Sequence, residues 1–471
     1  MPDTLVIDGC AVATMDGTGP AGTGAEYSAG HIVVAGGRIA AAGAGPGPEA
    51  DGAARIDAAG CLATPGLVNA HHHLYQWLTQ GRAQQASLAG WLSELYPVWA
   101  RIEPDQVHAA ATAGLAWLAL TGCTTSADHH YMFPGRGAPA GGSFAGPLEA
   151  EIAAAAAVGL RFHPCRGSMD LGVSRGGQPP DEAVEDTGTA LAATAAAISA
   201  YHDPAPGAMV RVAVGPCTPF TASEELMREA AALARDTGTR LHTHLAETSE
   251  EDAYCRARTG LSPAEFIEEL GWLGDDVWLA HCVHLPDAAI AGLAAAGTGV
   301  AHCPSSNGRL GAGIAPVRKL LAAGVPVGLG VDGPSCGDAA PLGAELRQAL
   351  LAARNRDADA GALTARQALW MATRGGARCL GREDEIGSLR PGALADIALW
   401  RLDTLGSDAI AHGPGGDPVA ALVFGPPAPV ALLLVGGRRI VEDGELRTAD
   451  PAAAMRAVRA ARSRLFGAGP A

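Results

Sequence analysis

The segment PGLVNAHHHLYQW, residues 65–77, places three histidines next to one another. In an extended strand successive side chains alternate between the two faces, so His71 and His73 share one face and His72 takes the other. Two imidazoles on one face are typical of half a metal site, although a single buried histidine is more often a hydrogen-bonded core residue. The pattern therefore indicates a metal only if other ligands converge on it.

Three later segments carry further imidazole and carboxylate groups, each after an apolar run. RLHTHLAET contains His242, His244 and Glu247, VWLAHCVHLP contains His281 and His284, and VGLGVDGPS contains Asp332. Chance seldom places metal-binding side chains in this way after four separate strands. A merely structural role is therefore a weak explanation for the whole set.

The elements that would position these groups alternate along the chain. Helical stretches rich in Ala, Leu and Glu separate apolar runs near 62–73, 124–131, 161–167, 209–217, 240–247, 277–284, 299–307 and 325–333. Eight strand-helix units predict an α/β fold, a distorted (β/α)8 TIM barrel, whose chemistry sits at the carboxyl ends of the strands. The histidine segments then meet at one mouth of the barrel.

The two ends of the chain differ from the middle in composition and in the predicted elements. Residues 1–61 and 385–446 are Gly-rich strand-and-turn segments. We expect them to meet as one small β-sandwich domain beside a barrel of residues 62–384, with residues 447–471 forming a C-terminal helical tail.

Composition restricts the class of partner. The 471 residues carry a formal net charge of −16, which argues against nucleic acid or an anionic membrane as the main partner. The start, MPDTLVIDGC, lacks the features of a signal peptide, and no apolar run reaches the length of a membrane span. Ten scattered cysteines suit reduced thiols. We expect a cytoplasmic protein acting on a small molecule, and the sequence leaves a homo-oligomer open.

The chain contains a single lysine, Lys319, in the amphipathic stretch APVRKLLAAG. A GxxxxGK[ST] phosphate loop is therefore absent from the sequence, and Schiff-base chemistry would have to use this one residue. We predict instead that Lys319 is a solvated helix residue. The glycine-rich stretch 41–50 does not lead from a strand into a helix, so we interpret it as a loop and not as a dinucleotide-binding fingerprint.

The residue types indicate a particular metal chemistry. Imidazole-rich ligation with one carboxylate is typical of zinc, and iron(II) also fits. An open position on such an ion would make a bound water acidic near neutral pH, with Asp332 accepting its proton. Glu247 is placed to act as an acid toward the substrate, and His281 to hydrogen-bond a developing oxyanion. The predicted ligands are His71, His73, His244 and Asp332.

The motifs PGLVNAHHH, HTHLAE, AHCVHL, HCPSSN and GVDG, in this order, resemble the amidohydrolase superfamily in its aminohydrolase branch. The resemblance covers nearly the whole chain and implies the same four ligands, Glu247 as general acid, and His281 in preference to His284 as the sixth-strand histidine. Binuclear members bridge two metals with a fourth-strand Lys or Glu. The corresponding segment here, MVRVAVGPCTPF, has neither, so we expect one metal ion per chain.

Other segments, HHHLYQWLT, ELYPVWARI, TTSADHHYMFP and RGSMDLG, are similar to the 8-oxoguanine deaminases and their triazine-hydrolysing relatives. This similarity implies that Gln76 and Cys217 contact the ring, and Arg166 could pair with a carbonyl. Each also has an ordinary interpretation: Gln76 could face solvent, Cys217 could be an apolar filler, and Arg166 could brace the third-strand loop. After Asp332 the chain departs from the relatives, with GPSCGDAAP in place of a polar Ser/Ala/Ser/Asn run.

The expected function is zinc-dependent hydrolytic deamination of 8-oxoguanine to urate and ammonia. One alternative is the same chemistry on another heterocycle, such as a hydroxytriazine, a pterin or guanine. A second is an inactive binding protein with the same fold, against which the intact ligand set and Glu247 argue.

Overall fold

The computed structural model describes residues 4–49, 51–134, 142–338 and 341–467. The predicted domains also include residues 1–3, 50, 135–141, 339–340 and 468–471, which lie outside the described residues. The strands are β1 (Thr4–Ala13), β2 (Glu26–Ala35), β3 (Arg38–Ala44), β4 (Ala54–Asp57), β5 (Cys61–Pro65), β6 (Leu67–Asn69), β7 (Cys123–His130), β8 (Arg161–Ser168), β9 (Ala213–Pro216), β10 (Arg240–Leu245), β11 (Val277–His281), β12 (Gly299–His302), β13 (Val327–Leu329), β14 (Ile397–Arg401), β15 (Val430–Val435), β16 (Arg438–Glu442) and β17 (Glu445–Leu446).

The α-helices are α1 (Leu88–Trp99), α2 (Pro104–Leu120), α3 (Pro147–Val158), α4 (Thr187–Tyr201), α5 (Glu224–Thr237), α6 (Ser249–Thr259), α7 (Pro263–Glu269), α8 (Asp287–Ala296), α9 (Pro304–Arg309), α10 (Val317–Ala323), α11 (Leu342–Asp357), α12 (Ala365–Trp370), α13 (Gly376–Cys379), α14 (Asp408–Ala411), α15 (Pro418–Phe424) and α16 (Pro451–Phe466). Among the described residues, no helix combines the length and the apolar character needed to cross a membrane.

Strands β6 to β13 pair in chain order as a closed parallel barrel, which confirms the predicted fold class. The closing pair, β13 with β6, joins only Leu329 and Asn69. A further bridge between His72 and Asp332 extends this seam, and the Asp332 N–H donates to the carbonyl of His71 at 3.1 Å. Closing the barrel therefore brings the first and last predicted ligands side by side.

Both chain ends contribute to one sheet, as predicted, with the order β17-β16-β15-β14-β5-β1-β2-β3 and with β4 paired to β1. Residues 62–73 are predicted to form a single barrel strand, but this stretch contains two elements. Strand β5 pairs with β1 and β14 in the end sheet, and β6 enters the barrel after Gly66. A Cβ on Gly66 would lie 2.2 Å from the Thr124 side chain, so only glycine allows this close crossover. The glycine-rich stretch 41–50 also begins inside a strand, because β3 extends to Ala44.

The outer helices follow simple sequence rules. In α5 the Ser223 side chain accepts the N–H of Leu226, and Gly238 ends the helix in the left-handed conformation. Helix α10 carries Lys319 on its exposed face, where the ammonium pairs with Asp287 at 2.6 Å. The prediction of a solvated lysine is confirmed.

A buried ion pair joins the barrel to the end sheet. Arg161 at the start of β8 binds Asp396, just before β14, through two contacts of 2.7 and 3.1 Å. Both side chains are at most 2% exposed. The same carboxylate accepts the Gly436 N–H at 2.7 Å. This arrangement fixes the position of the end sheet against the barrel wall.

Replacing Asp396 with Ala should destabilise the protein strongly, because the Arg161 guanidinium would remain buried without a counter-charge. We expect the free energy of unfolding in urea to fall by about 3–5 kcal/mol. The control is Lys319→Ala, which removes an exposed pair, should cost less than about 1 kcal/mol and should leave turnover unchanged. Equal small losses in both variants would contradict a structural role for the buried pair.

Candidate active site

The four predicted ligand atoms converge at the carboxyl ends of β6, β10 and β13. Nε2 of His73 lies 3.1 Å from Nε2 of His244 and 3.2 Å from Oδ1 of Asp332. Nε2 of His71 lies 3.4 Å from the same Asp332 oxygen. All four residues are buried. The structure thus brings together atoms from residues that are widely separated in the chain.

Hydrogen bonds to fixed acceptors determine which nitrogen of each imidazole carries the proton. A carbonyl oxygen can only accept, so Nδ1 of His73 donates to the His129 carbonyl at 2.7 Å, and Nδ1 of His244 donates to the Cys217 carbonyl at 2.6 Å. Burial lowers the pKa of His244 well below its usual range, which keeps its ring neutral. These bonds leave Nε2 of both rings directed at the shared point, and Nε2 of the neutral His244 is a bare lone pair.

A second histidine, His242, determines which nitrogen of His71 carries the proton. Nδ1 of His242 donates to the Trp278 carbonyl at 2.8 Å, and Nε2 of His242 lies 2.8 Å from Nδ1 of His71. Burial lowers the pKa values of both His71 and His242, so both rings are neutral. Because Nε2 of His242 must accept, Nδ1 of His71 donates, and Nε2 of His71 is left without a hydrogen-bond partner.

This arrangement fits a divalent cation. Two bare nitrogen lone pairs at 3.1 Å repel each other unless a positive charge lies between them. A tetrahedral ion with bonds of about 2.0–2.1 Å places its ligand atoms roughly 3.3 Å apart. The observed separations of 3.1–3.4 Å match that value. His71, His73, His244 and Asp332 could therefore hold one such ion.

The backbone at these strand ends is strained. Ala246, His281, Cys282 and Asp332 have φ values of 49°, 71°, 53° and 58°. Non-glycine residues rarely adopt this left-handed region, and each such residue costs about 1–3 kcal/mol unless surrounding contacts enforce it. These turns follow β10, β11 and β13, at or next to Glu247, His281 and Asp332.

Glu247 and His281 lie beside the ligand cluster. Nε2 of His281 is 3.7 Å from Oε2 of Glu247 and 3.8 Å from Oδ2 of Asp332, while Nδ1 of His281 donates to Oδ1 of Asn307 at 2.9 Å. Burial opposes charge on His281, but the carboxylates of Glu247 and Asp332 outweigh it and raise the pKa of this imidazole. His284 instead binds the Ala312 carbonyl at 2.8 Å.

The two carboxyl groups have opposite proton affinities. Burial raises the pKa of Glu247 above its usual range. Burial would also raise the pKa of Asp332, but positive charge on the neighbouring imidazoles, including that of His281, lowers it well below the usual range. The site thus contains one carboxyl that readily takes up a proton and one that stays ionised beside the imidazoles.

A cavity opens onto these groups. Its walls are largely aromatic and aliphatic, with short polar contributions from Thr218 and the thiols of Cys217 and Cys336. Helix α1 covers one side, where the Trp91 indole N–H donates to the Ser335 carbonyl at 3.1 Å. The apolar and aromatic lining residues are Leu88, Trp91, Leu92, Tyr96, Tyr131, Phe220 and Leu310. Such a space suits a flat heteroaromatic ring.

The three predicted ring-contacting residues occupy different positions. Cys217 lines the cavity, and burial raises the pKa of its thiol, which therefore stays protonated. Gln76 is fully buried, its amide has no hydrogen-bond partner, and it packs against Gly333 beside Asp332 without lining the cavity. The amide therefore lies near the ligand cluster and does not face solvent.

Arg166 does not line the cavity. Its guanidinium forms two contacts of 2.6 and 2.8 Å with Glu185 and lies 3.7 Å above the ring of Phe133. Bonds to Glu185 and to the Gly167 carbonyl already engage both of its Nη atoms, which argues against pairing with a substrate carbonyl. The bracing interpretation agrees with these contacts.

Several residues without an assigned role support the site. His242 orients His71, and the ring of His129 stacks on His244 with the centroids 4.9 Å apart. Behind them Asp128 accepts the Leu74 N–H at 2.6 Å, immediately after His73. The motif HTHLAE already contained His242, but only the fold reveals its partner. Nothing in the sequence predicts the backbone carbonyl acceptors.

Comparisons with known proteins agree with this geometry. The profile of the amidohydrolase family matches residues 62–440. The chain is 44% identical over 442 residues to 8-oxoguanine deaminase of Pseudomonas aeruginosa, covering 93% of this chain and 95% of that protein. It is 37% identical over 399 residues to hydroxydechloroatrazine ethylaminohydrolase of Pseudomonas sp. strain ADP, covering 83% and 80% of the two chains. The crystal structure of atrazine chlorohydrolase TrzN from Arthrobacter aurescens TC1 complexed with zinc superposes with a TM-score of 0.89 at 35% identity, covering 97% and 100%.

Metal analysis tests the ligand cluster. We expect one divalent ion per chain by elemental analysis and loss of turnover on chelation, restored by adding the metal back. His71→Ala, His73→Ala and His244→Ala should each lose both metal and turnover, because each removes one converging lone pair. Two tightly held ions per chain, or full activity in metal-free protein, would refute the proposed site.

Proposed function

Because the chain belongs to the amidohydrolase family and is a metal-dependent aminohydrolase acting on a C–N bond, we propose that it hydrolyses 8-oxoguanine to urate and ammonia, with zinc as its metal. The observation that carries the proposal is the position of Glu247 beside the ligand cluster, at the floor of a cavity suited to a flat ring. The likeness to the Pseudomonas aeruginosa 8-oxoguanine deaminase supports this choice of ring.

His71, His73, His244 and Asp332 would hold a divalent ion, which would supply a Lewis acid that makes a water molecule nucleophilic at neutral pH. Asp332 provides an ionised carboxylate oxygen, Oδ2, that faces His281 and can take the proton of the attacking water. His281 has a raised pKa and both carboxylates within 4 Å. It can therefore stabilise negative charge that develops on the carbonyl-like oxygen of the product.

Glu247 supplies the proton that the ring needs. In 8-oxoguanine the carbon that carries the amino group, C2, lies between two ring nitrogens. Protonation of N3 by Glu247 makes C2 more electrophilic toward water. The proton taken up by Asp332 then passes to the amino group, which leaves C2 as ammonia while the remaining hydroxyl proton returns to Glu247. The raised pKa of Glu247 keeps this carboxyl protonated at a higher pH than an exposed glutamate, so that the proton is available to the ring.

The polar groups of the wall would distinguish related rings. 8-Oxoguanine differs from guanine by an oxygen at C8 and a proton at N7, so the site must pair these groups to discriminate. Cys217 lines the cavity, and the Gln76 amide, which packs on Gly333 just outside the lining, is buried with neither polar atom hydrogen-bonded. A buried amide without partners gains most from a ligand that satisfies it.

Hydrolysis of a substituted hydroxytriazine is a second candidate. Leu88, Leu92 and Leu310 line the cavity and could accept an alkylamino substituent. The likeness to hydroxydechloroatrazine ethylaminohydrolase agrees with that chemistry. Pterin and guanine complete the panel of rings that the experiments must include.

Replacing Glu247 with Gln separates proton transfer from metal binding. The variant should keep its metal, because the four predicted ligands remain, but its turnover should fall roughly 10²- to 10⁴-fold where proton transfer limits the rate. Steady-state rates with 8-oxoguanine and elemental analysis provide the two measurements. Asp332→Asn serves as the contrast, since it should lower both metal content and rate. Wild-type turnover in Glu247→Gln would remove Glu247 from the mechanism.

The substrate is tested by ultraviolet assays and ammonia release on a panel of purines, pterins and triazines. We expect kcat/KM for 8-oxoguanine to exceed that for guanine, because the site pairs the additional polar groups. Gln76→Ala should narrow the ratio, and Arg166→Ala should leave it unchanged. Equal rates on both purines, or faster release of an alkylamine from a hydroxytriazine, would transfer the assignment to another ring.

A further inference from the structure

A third buried carboxyl group lies in the cavity wall behind the proposed proton donor. Glu251 belongs to the first turn of α6 and is 1% exposed. Its Oε2 accepts the backbone N–H of Glu247 at 2.9 Å. Its other oxygen, Oε1, is buried without a hydrogen-bond partner, and the residue lines the cavity.

The backbone that carries Glu247 needs this support. Ala246, the preceding residue, is left-handed at φ 49°, and its carbonyl accepts the N–H groups of Val283 and His284 at 3.0 and 2.9 Å. The turn is thus fixed on both sides. The loop after β11 binds the Ala246 carbonyl, and Glu251 binds the Glu247 N–H. Without that acceptor, the Glu247 N–H would be a buried donor with no partner.

We propose that Glu251 is a positioning residue for Glu247, holding the proton donor at the angle needed to reach the ring nitrogen, an inference that rests on the proposed function. Glu251 acts through the Glu247 backbone and not through the ring. The electrostatic surroundings agree with this role. Burial raises the pKa of Glu251 to about 7, while hydrogen bonds from the Ala246 and Glu247 backbone favour the charged form.

A substitution series isolates the hydrogen bond from the charge. Glu251→Gln keeps an acceptor oxygen for the Glu247 N–H and should retain most of the turnover. Glu251→Leu removes the acceptor at similar size and should lower kcat roughly 10- to 100-fold with little change in KM, because a displacement of about 1 Å can cost up to ~10²-fold. Glu250→Gln, an exposed acid in the same helical turn, is the matched control and should behave as wild type.

A double-variant cycle with Glu247→Gln then tests whether Glu251 acts through Glu247. If it does, adding Glu251→Leu to Glu247→Gln causes no further loss of kcat, since the group being positioned no longer transfers the proton. A purely structural role would multiply the two losses. Metal content and the thermal midpoint are measured for every variant, and Glu251→Asp, whose shorter side chain withdraws the acceptor, replaces the leucine variant if that one does not fold.

Three results would overturn the inference: multiplicative losses in the cycle, a change confined to KM in Glu251→Leu, or equal loss in Glu251→Gln and Glu251→Leu. The cycle uses 8-oxoguanine, or whichever ring of the panel the wild type hydrolyses. Failure of the substrate assignment therefore leaves the test intact. Wild-type activity in Glu247→Gln alone would instead refute the proton donor of the proposed function.

Discussion

Three imidazoles can each direct an unprotonated nitrogen at one point only if the other nitrogen of each ring donates its hydrogen to a fixed acceptor. Here the acceptors are two backbone carbonyls, of His129 and Cys217, and the ring of His242. Each belongs to a barrel strand or to the residue that follows one, so the strand register sets the tautomers. The barrel therefore prepares the electrostatics of the site before any ligand arrives.

The acceptor for His71 is itself supported by packing. His242 stacks on the Trp278 ring with the centroids 4.4 Å apart, and the indole N–H of Trp278 donates to the carbonyl of Ala70 at 3.0 Å. Strands β6, β10 and β11 are thus linked around one histidine pair. Rotation of any of these rings would leave a buried polar group without a partner, so the low-energy arrangement is narrowly defined.

The sequence was sufficient for the fold class and for the convergence of the ligands, because strand-helix alternation and strand-end histidines follow from local patterns. The sequence was insufficient to predict the contacts of a polar side chain that can bind either solvent or another part of the protein. Arg166 pairs with Glu185, and no pattern of spacing predicts that contact. Gln76 packs on Gly333, and β5 leaves the barrel for the end sheet, because tertiary packing selects among locally equivalent conformations. Glu251 acquires its position only through the left-handed turn at Ala246.

The seam between β13 and β6 also bears on how the protein matures. His71 leaves the ribosome early and Asp332 late, and the two meet only when the last strand docks beside the first. A nascent chain therefore lacks a complete ligand set until nearly all of the barrel has been synthesised. The complete ligand set for a metal ion therefore exists only after the ring has closed.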